Sequence, residues 1–227
     1  MELKHWTFLC CPKIKQINSE YAMTKKIVFF NCEDQSDLDV EKKLLGDNAD
    51  IELVLMNDQK DINIIDVCKD ADGVITIDRG TGWLRSAKSY GDFKLTMEFR
   101  FLEANANSGI FVRTGPTSKD DDNGWPDNGY QIQCLDTLEG DNPLATMIPY
   151  GAPPFEHQSD LEALKRAYRP TGEWQRYDIT CVGETMEIQL NGILVTTCTS
   201  IKNLSGHVGI QAELGLLEFR KIEIDQL

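Results

Sequence analysis

The chain has 227 residues, 41% of them hydrophobic and 26% charged, with a formal net charge of −14, which allows a real core in one large or two small domains. So acidic a chain repels phosphate backbones and anionic lipid surfaces, so neither nucleic acid nor membrane is expected as a partner, and no apolar run approaches the ~18 residues of a bilayer span. Its seven cysteines form no C-x-x-C pair, so no zinc cage is expected, and a reducing compartment fits best.

Residues 1–22 show no period and read as a loosely attached tail. Their one apolar patch (Trp6, Phe8, Leu9, Cys10, Cys11) is too short for a signal-peptide core. No export signal is expected, and the cytoplasm is the default location. From Met23 the text alternates between element types. Residues 27–30 are a continuous apolar run, residues 38–45 have helical spacing ending at Gly46, and residues 51–56 read as a second strand. A helix over 62–69 and a strand over 74–77 complete a βαβαβ pattern, the start of a doubly wound, flavodoxin-like parallel segment over 23–78. Lys26-Ile27-Val28 and Asp70-Ala71-Asp72-Gly73-Val74-Ile75 resemble the opening of the substrate domain of D-isomer-specific 2-hydroxyacid dehydrogenases. The working parts of such an enzyme are absent. In Gly80-Thr81-Gly82-Trp83-Leu84-Arg85, Arg85 stands where a dinucleotide fingerprint has its third glycine, and the chain beyond it alternates like a strand. Residues 23–78 therefore read as scaffold or fusion remnant.

Composition shifts at residue 79: nine Lys and no Arg precede it, eight Arg and six Lys follow. Residues 79–227 are nearly all strand and turn. Phe93, Leu95, Met97, Phe99 and Phe101 alternate with Lys94, Thr96, Glu98 and Arg100, a strand with one wet face. Strands are expected over 110–113, 130–135, 177–182, 186–190, 208–211 and 217–224. Asn191-Gly192 signals a hairpin. A helical patch over 159–167, opening on Ser159-Asp160-Leu161-Glu162 like a capping box, interrupts a long loop. The fold class is mainly β, a sandwich or jelly roll.

Five ordered stretches carry a more specific signal. They are Tyr90-Gly91-Asp92-Phe93-Lys94-Leu95, Asn107-Ser108-Gly109-Ile110-Phe111-Val112-Arg113, and Gly129-Tyr130-Gln131-Ile132-Gln133-Cys134-Leu135-Asp136. Pro170-Thr171-Gly172-Glu173-Trp174-Gln175-Arg176-Tyr177 with Leu190-Asn191-Gly192 comes next, then Gly206-His207-Val208-Gly209-Ile210-Gln211 with Glu218-Phe219-Arg220-Lys221-Ile222. Together they resemble the 3-keto-disaccharide hydrolase domain family. The resemblance implies a concanavalin A-like lectin/glucanase sandwich acting on glycosides already oxidised to a ketone at sugar carbon 3. A base would take the acidified C2 proton, the anomeric oxygen would leave with help from an acid, and water would add back. It implies a saccharide or glycoside substrate and no cofactor, with a divalent metal left open. Two departures stand out. Family members open with further strands before the Gly-Asp-Phe motif, so the N-terminal segment or a second copy of the chain must cover an open sheet edge, or the domain is crippled. Gln131 occupies a place where an acidic residue is expected in relatives. If that carboxylate is catalytic, this copy has lost it, and a non-catalytic carbohydrate-binding module is the alternative.

Alternation puts Gln131 and Gln133 on one strand face and Gln211 and Glu213 on another, with Arg113 beside Phe111. These five polar side chains are expected to line one sheet surface, as a sugar trough or as an ordinary solvated face. Glu213 is the candidate general base; Asp136, at a strand end, and His157, in the loop over 149–159, are the other catalytic candidates. Arg113, Gln131, Gln133 and Gln211 suit sugar hydroxyls, and Trp125 would stack on a ring or on its own domain. His207 reads as a strand-edge residue, Trp174 as core and Arg220 as structural. Asp120, Asp121 and Asp122 with Asp127 and Asn128 lack the EF-hand pattern and read as a solvated loop.

Overall fold

The computed structural model describes residues 8–9, 28–29, 54–55, 75–78, 80–86, 88–119 and 124–227. The chain-order elements are β1 (Phe8–Leu9), β2 (Val28–Phe29), β3 (Val54–Leu55), β4 (Ile75–Asp78), β5 (Trp83–Arg85), β6 (Phe93–Phe101), β7 (Asn107–Thr114) and β8 (Gly129–Leu135). Then come β9 (Met147–Tyr150), β10 (Glu156–Ser159), helix α1 (Leu161–Ala167), β11 (Gln175–Val182), β12 (Thr185–Leu190), β13 (Ile193–Thr199), β14 (His207–Gln211) and β15 (Leu216–Gln226).

The period-2 pattern decides the architecture. In β6 the odd-numbered side chains Phe93 to Phe101 are wholly buried, while Lys94, Thr96, Glu98 and Arg100 face outward. Adjacent strands repeat this, and two layers form: a seven-stranded sheet β10-β13-β12-β11-β6-β15-β4 and a five-stranded sheet β5-β14-β7-β8-β9. Both inner faces contribute to one apolar cluster that includes Phe99, Ile110, Ile132, Tyr177, Ile210 and Phe219. Phe99 lies 4.8 Å from Tyr177 between ring centroids. The Tyr177 hydroxyl donates to Gln133 O at 2.8 Å, a polar tie between layers inside the core.

The expected flavodoxin-like unit needs correction. The strand foreseen over 74–77 joins no parallel sheet. As β4 it pairs antiparallel with the first half of β15, Ile77 opposite Leu217 and Ile75 opposite Phe219. An Ile-x-Ile alternation suits an edge strand with one buried face, and both isoleucines are buried in the sandwich. Along Leu216 to Phe219 the edge of β15 is thus covered by the chain's own N-terminal part. β1, β2 and β3 form a separate parallel ribbon, so the tail expected over 1–22 supplies one of its strands. The helices expected over 38–45 and 62–69 lie outside the described residues.

Elsewhere the differences are local. α1 is capped by Asp160, whose Oδ1 accepts from Ala163 N at 2.9 Å. Ser159 is therefore not the cap, and Glu162 pairs with Lys165 instead of closing a capping box. Asn191 and Gly192 take φ of 51° and 82°, as a hairpin with two left-handed central residues requires. β9 and β10 occupy what reads as loop in sequence. Pro149 and the polar run Glu-His-Gln-Ser hide them, and β10 ends one sheet while β9 ends the other. No helix among the described residues is long and apolar enough to cross a membrane.

Candidate functional site

On the five-stranded sheet, Ile110, Ile132 and Ile210 point into the core. Alternation therefore sends Phe111, Gln131, Gln133 and Gln211 to the other face. Gln131 lies on β8 and Gln211 on β14, with β7 between them. Gln131 crosses β7 directly over Gly109, where a Cβ would run into its amide. This explains the glycine in the Asn107-Ser108-Gly109 motif. From there Gln131 Nε2 donates to Gln133 Oε1 at 2.8 Å and Gln211 Oε1 at 2.9 Å, and Gln133 Nε2 donates to Asn107 Oδ1 at 3.2 Å.

The network is incomplete at two atoms. Gln131 Oε1, an acceptor, and Gln211 Nε2, a donor, are buried without a hydrogen-bond partner among the described residues. Such atoms cost about 1–3 kcal/mol each when left unpaired. One is an acceptor and the other a donor, so among the described residues the amide network ends with one open position of each kind.

Glu213 is fixed by backbone on both sides. Gly80 N donates to Glu213 O at 3.1 Å and Ala212 N to Gly82 O at 3.0 Å, while Leu214 exchanges bonds with Asn107. The Gly80-x-Gly82 turn, with φ of 146° and 90°, thus braces the backbone that carries Glu213. Burial pushes the half-buried Glu213 carboxyl above its ordinary value. Tyr150, on β9, has its phenol raised too, by burial first and then by the nearby Glu213 charge, while the Gln211 amide facing its oxygen works the other way. Tyr150 therefore adjoins both Glu213 and Gln211.

Aromatic rings wall this group. Tyr150 meets Phe111 edge-on at 5.4 Å and Trp125 at 5.9 Å, and Trp83 meets Phe111 at 5.6 Å. Trp125 Nε1 donates to Ala212 O at 3.2 Å. The Trp83 indole crosses Gly209, where a Cβ would collide with its ring. Half-buried Trp and Tyr rings beside amides and a carboxylate offer apolar faces for sugar C–H groups and hydrogen bonds for hydroxyls.

The structure thus gathers Gln131, Gln133, Gln211, Glu213 and Trp125. Tyr150, Trp83 and Phe111 complete the group, and no sequence pattern singles them out. Tyr150 sits in a Met-Ile-Pro-Tyr run that reads as loop, and Trp83 comes after glycines that invite a turn reading.

Three candidates lie elsewhere. The register shifts between β14 and β7 at Arg113, whose φ is 49°. This bulge takes its side chain off the trough face. Wholly buried, Arg113 donates to the carbonyls of Gly91, Gly183 and Asn203 and pairs with Asp92. Asp136 accepts from the Tyr168 hydroxyl and the Thr171 hydroxyl, both at 2.6 Å, so both its oxygens are bound to the segment after α1. His157 is exposed on β10, in the other sheet, with its ring 5.6 Å from Phe155.

His207 lies on β14, its Nδ1 bonded to Ser86 O at 2.8 Å. Trp174, expected in the core, is instead half-buried under the guanidinium of Arg220. Cys181 and Cys198 are buried, with thiols pushed up to about 12 by burial, so neither is a nucleophile at neutral pH. Among the described residues no group of three or more His, Cys, Asp or Glu could hold a metal ion. Asp120, Asp121 and Asp122 lie outside the described residues, while Asp127 accepts from Thr117 and Asn128 from Asn203.

Among solved structures, the chain is similar to a proposed glycosyl hydrolase from Parabacteroides distasonis (22% identity, TM-score 0.49, covering 65% of this chain and 84% of that one). It is similar to a carbohydrate-binding module from Bacillus subtilis (16% identity, TM-score 0.43, 65% and 84%). It also resembles domain 4 of an extracellular arabinanase from Geobacillus stearothermophilus, solved with arabinotriose (12% identity, TM-score 0.39, 65% and 69%). No curated protein sequence matches it. The model of one family, described as the 3-keto-alpha-glucoside-1,2-lyase-like domain, matches residues 40–225, beginning well before the compositional boundary at residue 79. The chain belongs to that family.

Proposed function

We propose that this carbohydrate-related domain cleaves 3-keto-glycosides by elimination followed by hydration, on the outer face of the five-stranded sheet. Glu213 removes the C2 proton, which the C3 ketone has acidified. The C1–O bond to the departing group breaks as a C1=C2 double bond forms. Tyr150 gives its phenolic proton to the leaving oxygen. Water then returns hydroxide to C1 and a proton to C2. Gln211 Nε2 donates to the C3 oxygen as negative charge gathers there, and Gln131 Oε1 accepts from a neighbouring sugar hydroxyl.

The observation that carries this reading is the pair of buried, unpartnered amide atoms of Gln131 and Gln211 beside a carboxylate of raised pKa. Burial moves the Glu213 carboxyl toward neutrality, as suits a base there, and keeps the Tyr150 phenol protonated with its proton to give. The test is incubation with 3-keto-trehalose or an aryl 3-keto-α-glucoside. Release of glucose or aglycone supports the reading; no release over hours at micromolar protein overturns it.

A second reading, a non-catalytic carbohydrate-binding module, is favoured by Gln131 itself. An amide stands where relatives are expected to carry an acid, and Asp136 is already bound by two hydroxyls. Saturable binding of the keto-sugar without turnover would select it.

A further inference from the structure

A pocket of about 500 Å³ lies on the other side of the sandwich, on the outer face of the seven-stranded sheet. It is lined by Trp174, Arg169, Arg176, Arg220, Glu98 and Asp178, among others. Nothing in the proposed reaction uses it. In a chain with a net charge of −14, three guanidiniums around one pocket are a local reversal of sign.

The pocket is built. Arg220 lies 3.7 Å over the Trp174 ring, with Arg100 at 4.7 Å, so the indole is fixed by cations. A register shift in β15 after Arg220, with Lys221 at φ 51°, lets two successive cations reach one acid. Arg220 Nε and Lys221 Nζ both bind Glu98, at 2.6 and 2.8 Å. Arg176 grips Asp178 with two nitrogens, at 2.7 and 2.8 Å. Burial works against ionisation of Glu98 and Asp178, but these bonds outweigh it and hold both carboxyls below their ordinary values.

Donors remain. Arg220 gives Glu98 only its Nε, and exposed Arg169 gives only Nη1, to Trp174 O at 2.8 Å. Their other guanidinium nitrogens have no protein acceptor among the described residues. Fixed cations, fixed anions and an indole thus face one space large enough for a small ligand.

We propose that this pocket is a second saccharide site, selective for a sugar bearing a carboxylate, such as a uronic acid. Such a sugar offers a carboxylate to the free nitrogens of Arg169 and Arg220, hydroxyl donors to Glu98 and Asp178, and C–H groups to the part of the Trp174 indole that lines the pocket beside the stacked guanidiniums. A bare phosphate or sulfate gains nothing from the two carboxylates, which repel it. A neutral sugar leaves the free guanidinium nitrogens without a charged partner. The site lies on a different sheet from Glu213, so the chain would hold an acidic glycan independently of any reaction.

Calorimetric titration of the full chain with trigalacturonate, maltotriose and inorganic sulfate tests this. Saturable binding of trigalacturonate, at least tenfold tighter than the other two and weakened by salt, is expected. Arg169→Gln, at an exposed position, should weaken it at least fivefold with an unchanged melting temperature, while Glu213→Gln should leave it untouched. No saturable binding of trigalacturonate overturns the proposal. So does equal binding of maltotriose or sulfate, or indifference to Arg169→Gln. Loss of binding in Glu213→Gln alone would move the acidic sugar to the other face and overturn it too.

Discussion

Gln131 reaches across β7 to donate its amide nitrogen to Gln211 Oε1 at 2.9 Å, through space that only a glycine at position 109 leaves open. One buried amide thereby orients two others, and the strand between them is locked beneath. Gly109→Ala should displace Gln131 and cost about 1–3 kcal/mol of stability. It should also weaken keto-sugar binding. Urea unfolding and a binding titration check the two effects together.

Gln131→Glu tests the departure from the pattern expected in relatives. A carboxylate at 131 would face two acceptor oxygens, Gln133 Oε1 and Gln211 Oε1, and would lose both donated bonds. Buried and unpaired by cations, it should titrate above an ordinary glutamate. A raised pKa stabilises the fold at low pH, and that contribution is lost as pH rises through the folded-state value. The variant should therefore lie closer to the parent at pH 4.5 than at pH 8, where the deficit should be about 2 kcal/mol or more. Denaturant melts at the two pH values give the answer.

Arg113 is a separate matter of architecture. Its buried guanidinium satisfies the carbonyls of Gly91, Gly183 and Asn203 and pairs with Asp92. Arg113→Met strands those acceptors and should cost about 3–5 kcal/mol. Arg113→Lys should recover less than half of that, because an ammonium cannot span the same fork. Retained wild-type stability in either variant would contradict the assignment.

Much of the fold is legible from period and turn chemistry. β6 alternates so strictly that its buried and exposed faces can be read from the letters alone, and Asn191-Gly192 forces its hairpin. The gathering of Gln131, Gln133, Gln211 and Glu213 comes from the same alternation. Arg113 escapes it because a bulge adds a residue that no periodicity records. β4 reads as part of a parallel unit because four apolar-rich residues carry no information about their partner strand; β15 makes the choice between parallel and antiparallel. Tyr150 is hidden by Pro149, and Trp174 by the ordinary reading of an indole near a strand as core.

Asp136 offers a spectroscopic check on its structural role. The Tyr168 phenol is raised to about 12 by burial and by its bond to the Asp136 carboxylate. Asp136→Asn removes the charge and should bring the Tyr168 titration back toward its ordinary value of about 10. The change is visible as phenolate absorbance, with little effect on keto-sugar binding. A large loss of binding would place Asp136 in the site after all.

The most direct test of the central claim tracks deuterium. With an aryl 3-keto-α-glucoside in D₂O, base removal at C2 by Glu213 should release aglycone and return a sugar labelled at C2. Glu213→Gln should lower that rate by at least about 100-fold while remaining folded and slightly more stable at pH 7, since it relieves a buried charge. Aglycone release without deuterium at C2, or a fully active Glu213→Gln, would contradict the account.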